Sequence, residues 1–148
     1  MNADVNLFHS SLSATAISFE IISPVDLPAK WYLVIQPKVH VSTAEIFSQK
    51  KLTRDTPIIK VAAFLEGVGR NDCQDLVLQR YPQVKEAVDW LNIFSPAKLT
   101  GTGACIFASF DSEAEAEGVF ASRPEHLEGF VAKGVNRSPL HTALSRCR

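Results

Sequence analysis

Residues 99–110 read LTGTGACIFASF, a glycine-rich segment that leads directly into an apolar run. Gly101 and Gly103 can adopt the positive φ angles of a tight turn and let another group approach the backbone closely. Residues 104–110 are too few for a typical helix and favour a buried strand. Successive N–H groups of such a turn can form an anion-binding concavity. An isolated Gly-Thr-Gly, however, is more often a plain turn between two strands.

The composition is that of one globular domain. The chain has 148 residues, of which 46% are hydrophobic and 21% charged, and its formal net charge is −1. No run of basic residues supports a nucleic-acid or membrane-surface role. No apolar run has the length of a membrane span, and the N-terminus lacks a signal-peptide pattern. The three cysteines and four histidines lack metal-ligand spacing, so we expect free thiols, no metal site and a cytoplasmic protein.

Upstream of the glycine-rich segment, the chain alternates between strand and helix patterns. Residues 19–22 (FEII) predict a short strand, and residues 31–35 (WYLVI) predict a central strand that is apolar on both faces. Ser42 and Glu45 form a capping-box pattern for a short helix through Phe47. Three further helices are expected before the turn, each beginning at a residue favoured at helix N-termini, namely Thr56, Asn71 and Pro82. The third of these would bury Val84, Val88, Leu91 and Phe94.

Downstream of the turn, the pattern is strand, helix, strand and helix. Ser112 and Glu115 form a second capping box. Residues 130–135 predict the last strand, and the terminal helix from residue 138 would turn Leu140 and Leu144 inward. From residue 31 onward this is the β-α-β-β-α-β split pattern. The predicted fold class is therefore α+β, with an antiparallel sheet and helices layered on one face.

Five motifs occur in a fixed order along the chain. They are WYLV at 31–34, VSTAEIF at 41–47, NDC at 71–73, LTGTGACIF at 99–107 and GFVAKGVNRSPLH at 129–141. Together they closely resemble the C-terminal half of the 4-diphosphocytidyl-2-C-methyl-D-erythritol kinase family of the GHMP superfamily. The resemblance extends from about residue 22 to residue 144. It implies a ferredoxin-like GHMP kinase C-terminal domain at 25–148, preceded at 1–24 by a remnant of the N-terminal kinase domain.

The resemblance also implies a substrate and a set of binding residues. Enzymes of that family use ATP and Mg²⁺ to phosphorylate the 2-hydroxyl of a cytidine-diphosphate substrate in non-mevalonate isoprenoid synthesis. By the resemblance, the turn residues Gly101, Thr102 and Gly103 lie against the phosphates and substrate, Thr43 lines the substrate site, and Phe47 stacks on the cytosine. From its pattern alone, Phe47 would more often be a core residue than a ligand platform. Ala44 replaces the family's usual proline.

The sequence departs from the family most at its start. Asn-Ala-Asp-Val at 2–5 matches the family's Gly-Ala-Asp-Val, which places Asp4 at the catalytic acid/base position, whereas residues 10–19 match poorly. The Gly/Ser-rich ATP loop of the type P-x-x-x-G-L-G-G-G-S-S is not found in the chain. We therefore expect no tight binding of ATP or Mg²⁺ and no kinase activity from this chain alone, and Asp4 by itself would be a mobile surface carboxylate. The alternative is a non-catalytic binding or self-assembly module whose partner is a separate N-terminal half or a second copy.

Overall fold

The structure of the protein, a computed structural model, describes residues 27–59 and 69–146. Asp4, the strand predicted at 19–22 and most of the helix predicted after Thr56 lie outside these ranges. In chain order, the helices and strands of these ranges are β1 (Trp31–Pro37), α1 (Thr43–Ser48), α2 (Gln74–Arg80), α3 (Pro82–Asn92), β2 (Lys98–Leu99), β3 (Ile106–Phe110), α4 (Glu113–Ala121), β4 (Leu127–Lys133) and α5 (Pro139–Arg146). Residues 57–59 form no helix.

The four strands form one antiparallel sheet in the order β2-β3-β1-β4. In the central strand, Leu33 lies opposite Ala108 of β3 and Val131 of β4. This order places β3 between β1 and β2, and β1 between β3 and β4, which is the arrangement of a split β-α-β fold. The α+β class and the antiparallel sheet predicted from the sequence are confirmed.

One face of the sheet carries the hydrophobic core. Alternate residues of β1 and β3, among them Leu33, Ile35 and Ile106, are fully buried. They join the same buried cluster as the apolar side chains of α3 and α4. The residues that these two helices contribute to the cluster are Val84, Ala87, Val88 and Leu91 of α3 and Ala116 and Val119 of α4. Two helices therefore cover this face of the sheet.

The opposite face of the sheet is also apolar but less covered. Val34 lies directly between Phe107 of β3 and Phe130 of β4, and neighbouring residues in register share a face. Tyr32 adds a ring whose centroid is 6.2 Å from that of Phe107. Phe130 is 57% exposed. The prediction that β1 is apolar on both faces is thus correct, but only one face is fully buried.

Several predicted positions differ in the structure. β3 begins at Ile106 rather than at residue 104, because residues 99–105 are used to close the turn. Phe94 is exposed because α3 ends at Asn92, and its ring instead makes an edge contact with Trp90. Leu140 and Leu144 of α5 are 63% and 58% exposed, so the prediction that they face inward is wrong. In the described ranges, no helix is both long and apolar enough to cross a membrane.

An exposed ion pair ties the entrance of β1 to the far end of β3. The Lys30 ammonium donates to the carboxylate of Asp111, the residue that follows β3. The hydrogen bond to Asp111 and the charge of that carboxylate raise the pKa of Lys30 above its ordinary value. This pair is a structural contact between strand ends, outside the site described next.

Candidate functional site

The glycine-rich segment forms the tight turn between β2 and β3. The Thr100 N–H donates to the carbonyl oxygen of Cys105 at 2.9 Å, and the Gly103 N–H donates to the carbonyl oxygen of Thr100 at 2.8 Å. Gly101 and Gly103 have φ angles of 51° and 94°. Both values lie in the left-handed region that favours glycine. The turn predicted from the sequence is therefore present, with both glycines where positive φ is needed.

Helix α1 meets this turn through two hydroxyl groups. The Oγ1 atoms of Thr43 and Thr102 are 2.9 Å apart, a hydrogen bond between residues 59 positions apart in the chain. Thr43 is the first residue of α1, whose N-cap Ser42 accepts a hydrogen bond from the Glu45 N–H at 3.3 Å. Two residues that the resemblance assigns to a substrate site thus lie in direct contact.

Phe47 lies one helical turn after Thr43 and is 50% exposed. Residues four apart lie on the same side of a helix, so Phe47 and Thr43 share the exposed side of α1. Ile46, between them and fully buried, attaches the helix to the core. The pattern-based alternative, in which Phe47 is a core residue, is therefore not what the structure shows. Its ring remains available to a planar ligand.

The carboxylate of Glu45 anchors α1 to the end of α2. It accepts hydrogen bonds from the Arg80 guanidinium and, at 3.2 Å, from the Tyr81 hydroxyl. The sequence pattern predicts a capping box, and one of its two hydrogen bonds is present, from the Glu45 N–H to the Ser42 hydroxyl. The Glu45 carboxylate does not make the second one. The side chain reaches instead to residues 35 and 36 positions away in the chain. Nothing in the local spacing indicates those partners.

Asn71 connects the glycine turn to the start of α2. Its side-chain NH₂ donates to the carbonyl oxygens of Leu99 at 2.9 Å and Gly101 at 2.7 Å. Its side-chain oxygen accepts from the N–H of Cys73 at 3.0 Å. The prediction that Asn71 caps α2 needs correction, because the N-cap is Cys73, which makes no side-chain cap bond. The amide has its main contacts with the turn.

The predicted site is an open surface rather than an enclosed cavity. A cavity of about 300 Å³ lies beside the turn, but it is lined by other residues, chiefly Arg70, Gln74 and Lys98 together with Asn71. Thr43, Phe47 and Thr102 do not line it. The groups predicted to bind substrate therefore form at most one wall of a binding site.

The described residues show no set of ligands for Mg²⁺. Over residues 27–59 and 69–146, no three histidine, cysteine or acidic side chains come together in a way that could hold a metal ion. Cys73 is buried, Cys105 is partly buried, and both are free thiols. The residues present thus do not by themselves fit the Mg²⁺ that the resemblance implies, and Asp4 lies outside the described ranges.

Comparison with known proteins identifies the family. The model of the family "GHMP kinases C terminal" matches residues 54–129, just over half of the chain. The chain belongs to the GHMP kinase C-terminal family. The family's match includes α2, α3, the glycine turn and α4, so the elements that hold the turn are part of the shared domain.

Two relatives of this GHMP kinase C-terminal domain bear the same name. A 4-diphosphocytidyl-2-C-methyl-D-erythritol kinase from Pseudomonas aeruginosa is 54% identical over 145 residues, covering 97% of this chain and 51% of the relative. One from Hahella chejuensis is 49% identical over 152 residues, covering 100% of this chain and 51% of the relative. The chain spans about half the length of the curated relatives it matches.

A solved structure supports the fold. The crystal structure of a 4-(cytidine 5'-diphospho)-2C-methyl-D-erythritol kinase matches with a TM-score of 0.58 and 18% sequence identity. The match covers 76% of this chain and 46% of that one. At this identity the likeness shows the fold alone. The fold class expected from the sequence is thereby confirmed, and the resemblance to this GHMP kinase family is confirmed by the family model and the named relatives.

Proposed function

We propose that this domain forms the nucleotide-binding wall of a 4-diphosphocytidyl-2-C-methyl-D-erythritol kinase site. The observation that carries the proposal is the hydrogen bond between Thr43 and Thr102, with the half-exposed ring of Phe47 one helical turn away. Phe47 stacks on the cytosine, and the turn formed by residues 101–103 lies against the diphosphate. Thr43 and Thr102 contact the part of the substrate between them.

Gly101 gives the turn an accessible backbone. A Cβ atom at Gly101 would meet no atom within 4 Å, so this residue borders open space. Because glycine has no side chain, a phosphate group can approach the backbone N–H groups at this position closely. This feature suits the diphosphate of a cytidine-diphosphate substrate. The open wall also suits a ligand that is enclosed only when a second wall is present.

The complete reaction needs more than this wall. We propose, from the resemblance, that ATP and Mg²⁺ act in the phosphorylation of the substrate's 2-hydroxyl, in the cytoplasm. Residues 25–148 are then the GHMP kinase C-terminal domain, and residues 1–24 a remnant of the N-terminal domain in which Asp4 occupies the catalytic position. By the resemblance, the groups that hold ATP and Mg²⁺ belong to an N-terminal half, and the wall described here transfers no phosphoryl group by itself.

Titration of the chain with cytidine 5'-diphosphate tests the proposal. Stacking of a base on an aromatic side chain is worth about 1–3 kcal/mol, so Phe47→Ala should weaken binding about 5- to 150-fold. Phe94→Ala is the matched control, because Phe94 is 44% exposed and contacts Trp90 instead of α1. Equal affinities of the two variants would contradict the stacking role of Phe47.

A second candidate function is favoured by the less covered sheet face. Val34, Phe107 and Phe130 form an apolar row there, and Phe130 is more than half exposed. Exposed apolar surface of this kind is typical of protein interaction sites. The face would then bind a separate N-terminal half or a second copy of this chain, as a binding or assembly module.

A further inference from the structure

We propose that Asn71 is a positioning residue for the nucleotide site, because its side chain fixes the orientation of the glycine turn. The proposal rests on the proposed function, since it concerns the same site. Asn71 does not belong to the set of residues predicted to touch substrate. It acts through the backbone of residues 99–101, to which it is bound.

Both hydrogens of the Asn71 amide and one acceptor position of its oxygen take part in hydrogen bonds. A side-chain NH₂ has two hydrogens, and one is donated to Leu99 O at 2.9 Å and the other to Gly101 O at 2.7 Å. The side-chain oxygen is taken by the Cys73 N–H. An aspartate of the same shape would keep the acceptor but place an oxygen against two carbonyl oxygens. The position therefore requires an amide.

The contact with Gly101 also orients Thr102. The carbonyl of Gly101 and the N–H of Thr102 belong to one planar peptide group, in which the two bonds point in opposite directions. Because Asn71 holds the carbonyl on its own side, the Thr102 N–H is directed to the opposite side of the turn. Thr102 is also the residue whose hydroxyl meets Thr43. One side chain thus sets both the direction of a backbone donor and the contact with α1.

The internal hydrogen bonds of the turn do not replace this contact. The bonds of Thr100 with Cys105 and of Gly103 with Thr100 close the turn on itself. They hold its ends together but do not relate it to the helices. Asn71, 28 and 30 positions before the two carbonyls, connects both of them to the start of α2, while Gln74 of α2 accepts a hydrogen bond from the Leu99 N–H at 2.9 Å and does not contact the Gly101 carbonyl in the described residues. Loss of its NH₂ should leave a closed turn in a changed orientation.

The test compares two isosteric changes of equal charge in the whole chain. Asn71→Asp removes both donors to the turn. Asn92→Asp is the control, because within residues 27–59 and 69–146 the Asn92 side chain accepts a hydrogen bond from the Ala97 N–H at 2.8 Å and donates none, and a carboxylate still accepts it. We expect Asn71→Asp to shift the backbone amide NMR signals of residues 101–103 and to weaken cytidine 5'-diphosphate binding about tenfold. Asn92→Asp should change neither.

Asn71→Ser keeps the test decisive if Asn71→Asp does not fold. A serine hydroxyl can still accept a hydrogen bond from the Cys73 N–H two residues on, while the side chain is too short to reach the carbonyls of the turn. A lower melting temperature with unchanged turn signals and affinity, measured where the variant is folded, would overturn the proposal. If the unaltered chain fails to bind cytidine 5'-diphosphate, the proposed function fails. The turn signals then decide separately whether Asn71 orients the turn.

Discussion

The two glycines of the turn differ in what a side chain would meet. A Cβ at Gly101 would enter open space, whereas one at Gly103 would lie 3.3 Å from Leu99 Cδ1 and 3.6 Å from atoms of Val41 and Val77. The φ angle of Gly103, 94°, is also farther from the left-handed helical value than the 51° of Gly101. Gly103 is therefore required by the core as well as by the backbone.

Gly103→Ala should destabilise the domain more than Gly101→Ala. The left-handed conformation alone costs a non-glycine residue about 1–2 kcal/mol, and at Gly103 the close contact with Leu99 adds to that cost. Gly118→Ala is the control, since Gly118 lies inside α4 with open space around it, and alanine there should stabilise by about 0.5–1 kcal/mol. Denaturant unfolding measures all three. A larger loss at Gly101 would contradict the account.

The residues that position the site could not be found from local spacing. The turn was predictable because Gly101 and Gly103 act on their own backbone. Asn71 and Glu45 also stood out in the sequence, but as helix-capping residues. Their side chains in fact bind groups about 30 positions away, and a capping pattern carries no information about such partners. The structure was needed to assign them.

The two helix starts marked by a capping-box pattern, those of α1 and α4, were correctly predicted, whereas Asn71 is not the N-cap of α2. Ser42 and Ser112 each accept a hydrogen bond from the N–H three residues later, at 3.3 and 3.2 Å, as their capping boxes predicted. Such contacts depend only on residues within one helical turn of each other. The prediction that Leu140 and Leu144 of α5 face inward was wrong, because their spacing shows only that the helix has an apolar stripe. What covers a stripe depends on the rest of the molecule.

At the scale of the whole molecule, the order of strands and helices sufficed to predict the sheet. Split β-α-β connections leave few antiparallel arrangements, and β2-β3-β1-β4 is the one observed. The sequence could not show that one sheet face would be less covered, because β1 reads as apolar on both sides. The open face and the open wall of the site fit the same explanation, namely a domain that works against another.

The open sheet face should make the chain associate with itself at high concentration. Phe130→Glu places a charge at the exposed end of the apolar row, on the edge strand β4, and should shift the population to monomers in sedimentation velocity. Phe94→Glu is the control, since it adds the same charge to another exposed phenylalanine. If the unaltered chain is monomeric at every concentration, this face does not bind a second copy.

The most direct test of the central claim is an NMR titration of the isotopically labelled chain with cytidine 5'-diphosphate. We expect saturable changes in the backbone amide signals of Thr43, Phe47 and residues 101–103, because we propose that these groups form one wall of the nucleotide site. Signals of α5 and of the exposed sheet face should stay in place. Changes confined to the cavity lined by Arg70 and Lys98, or no saturable change at all, would contradict the claim.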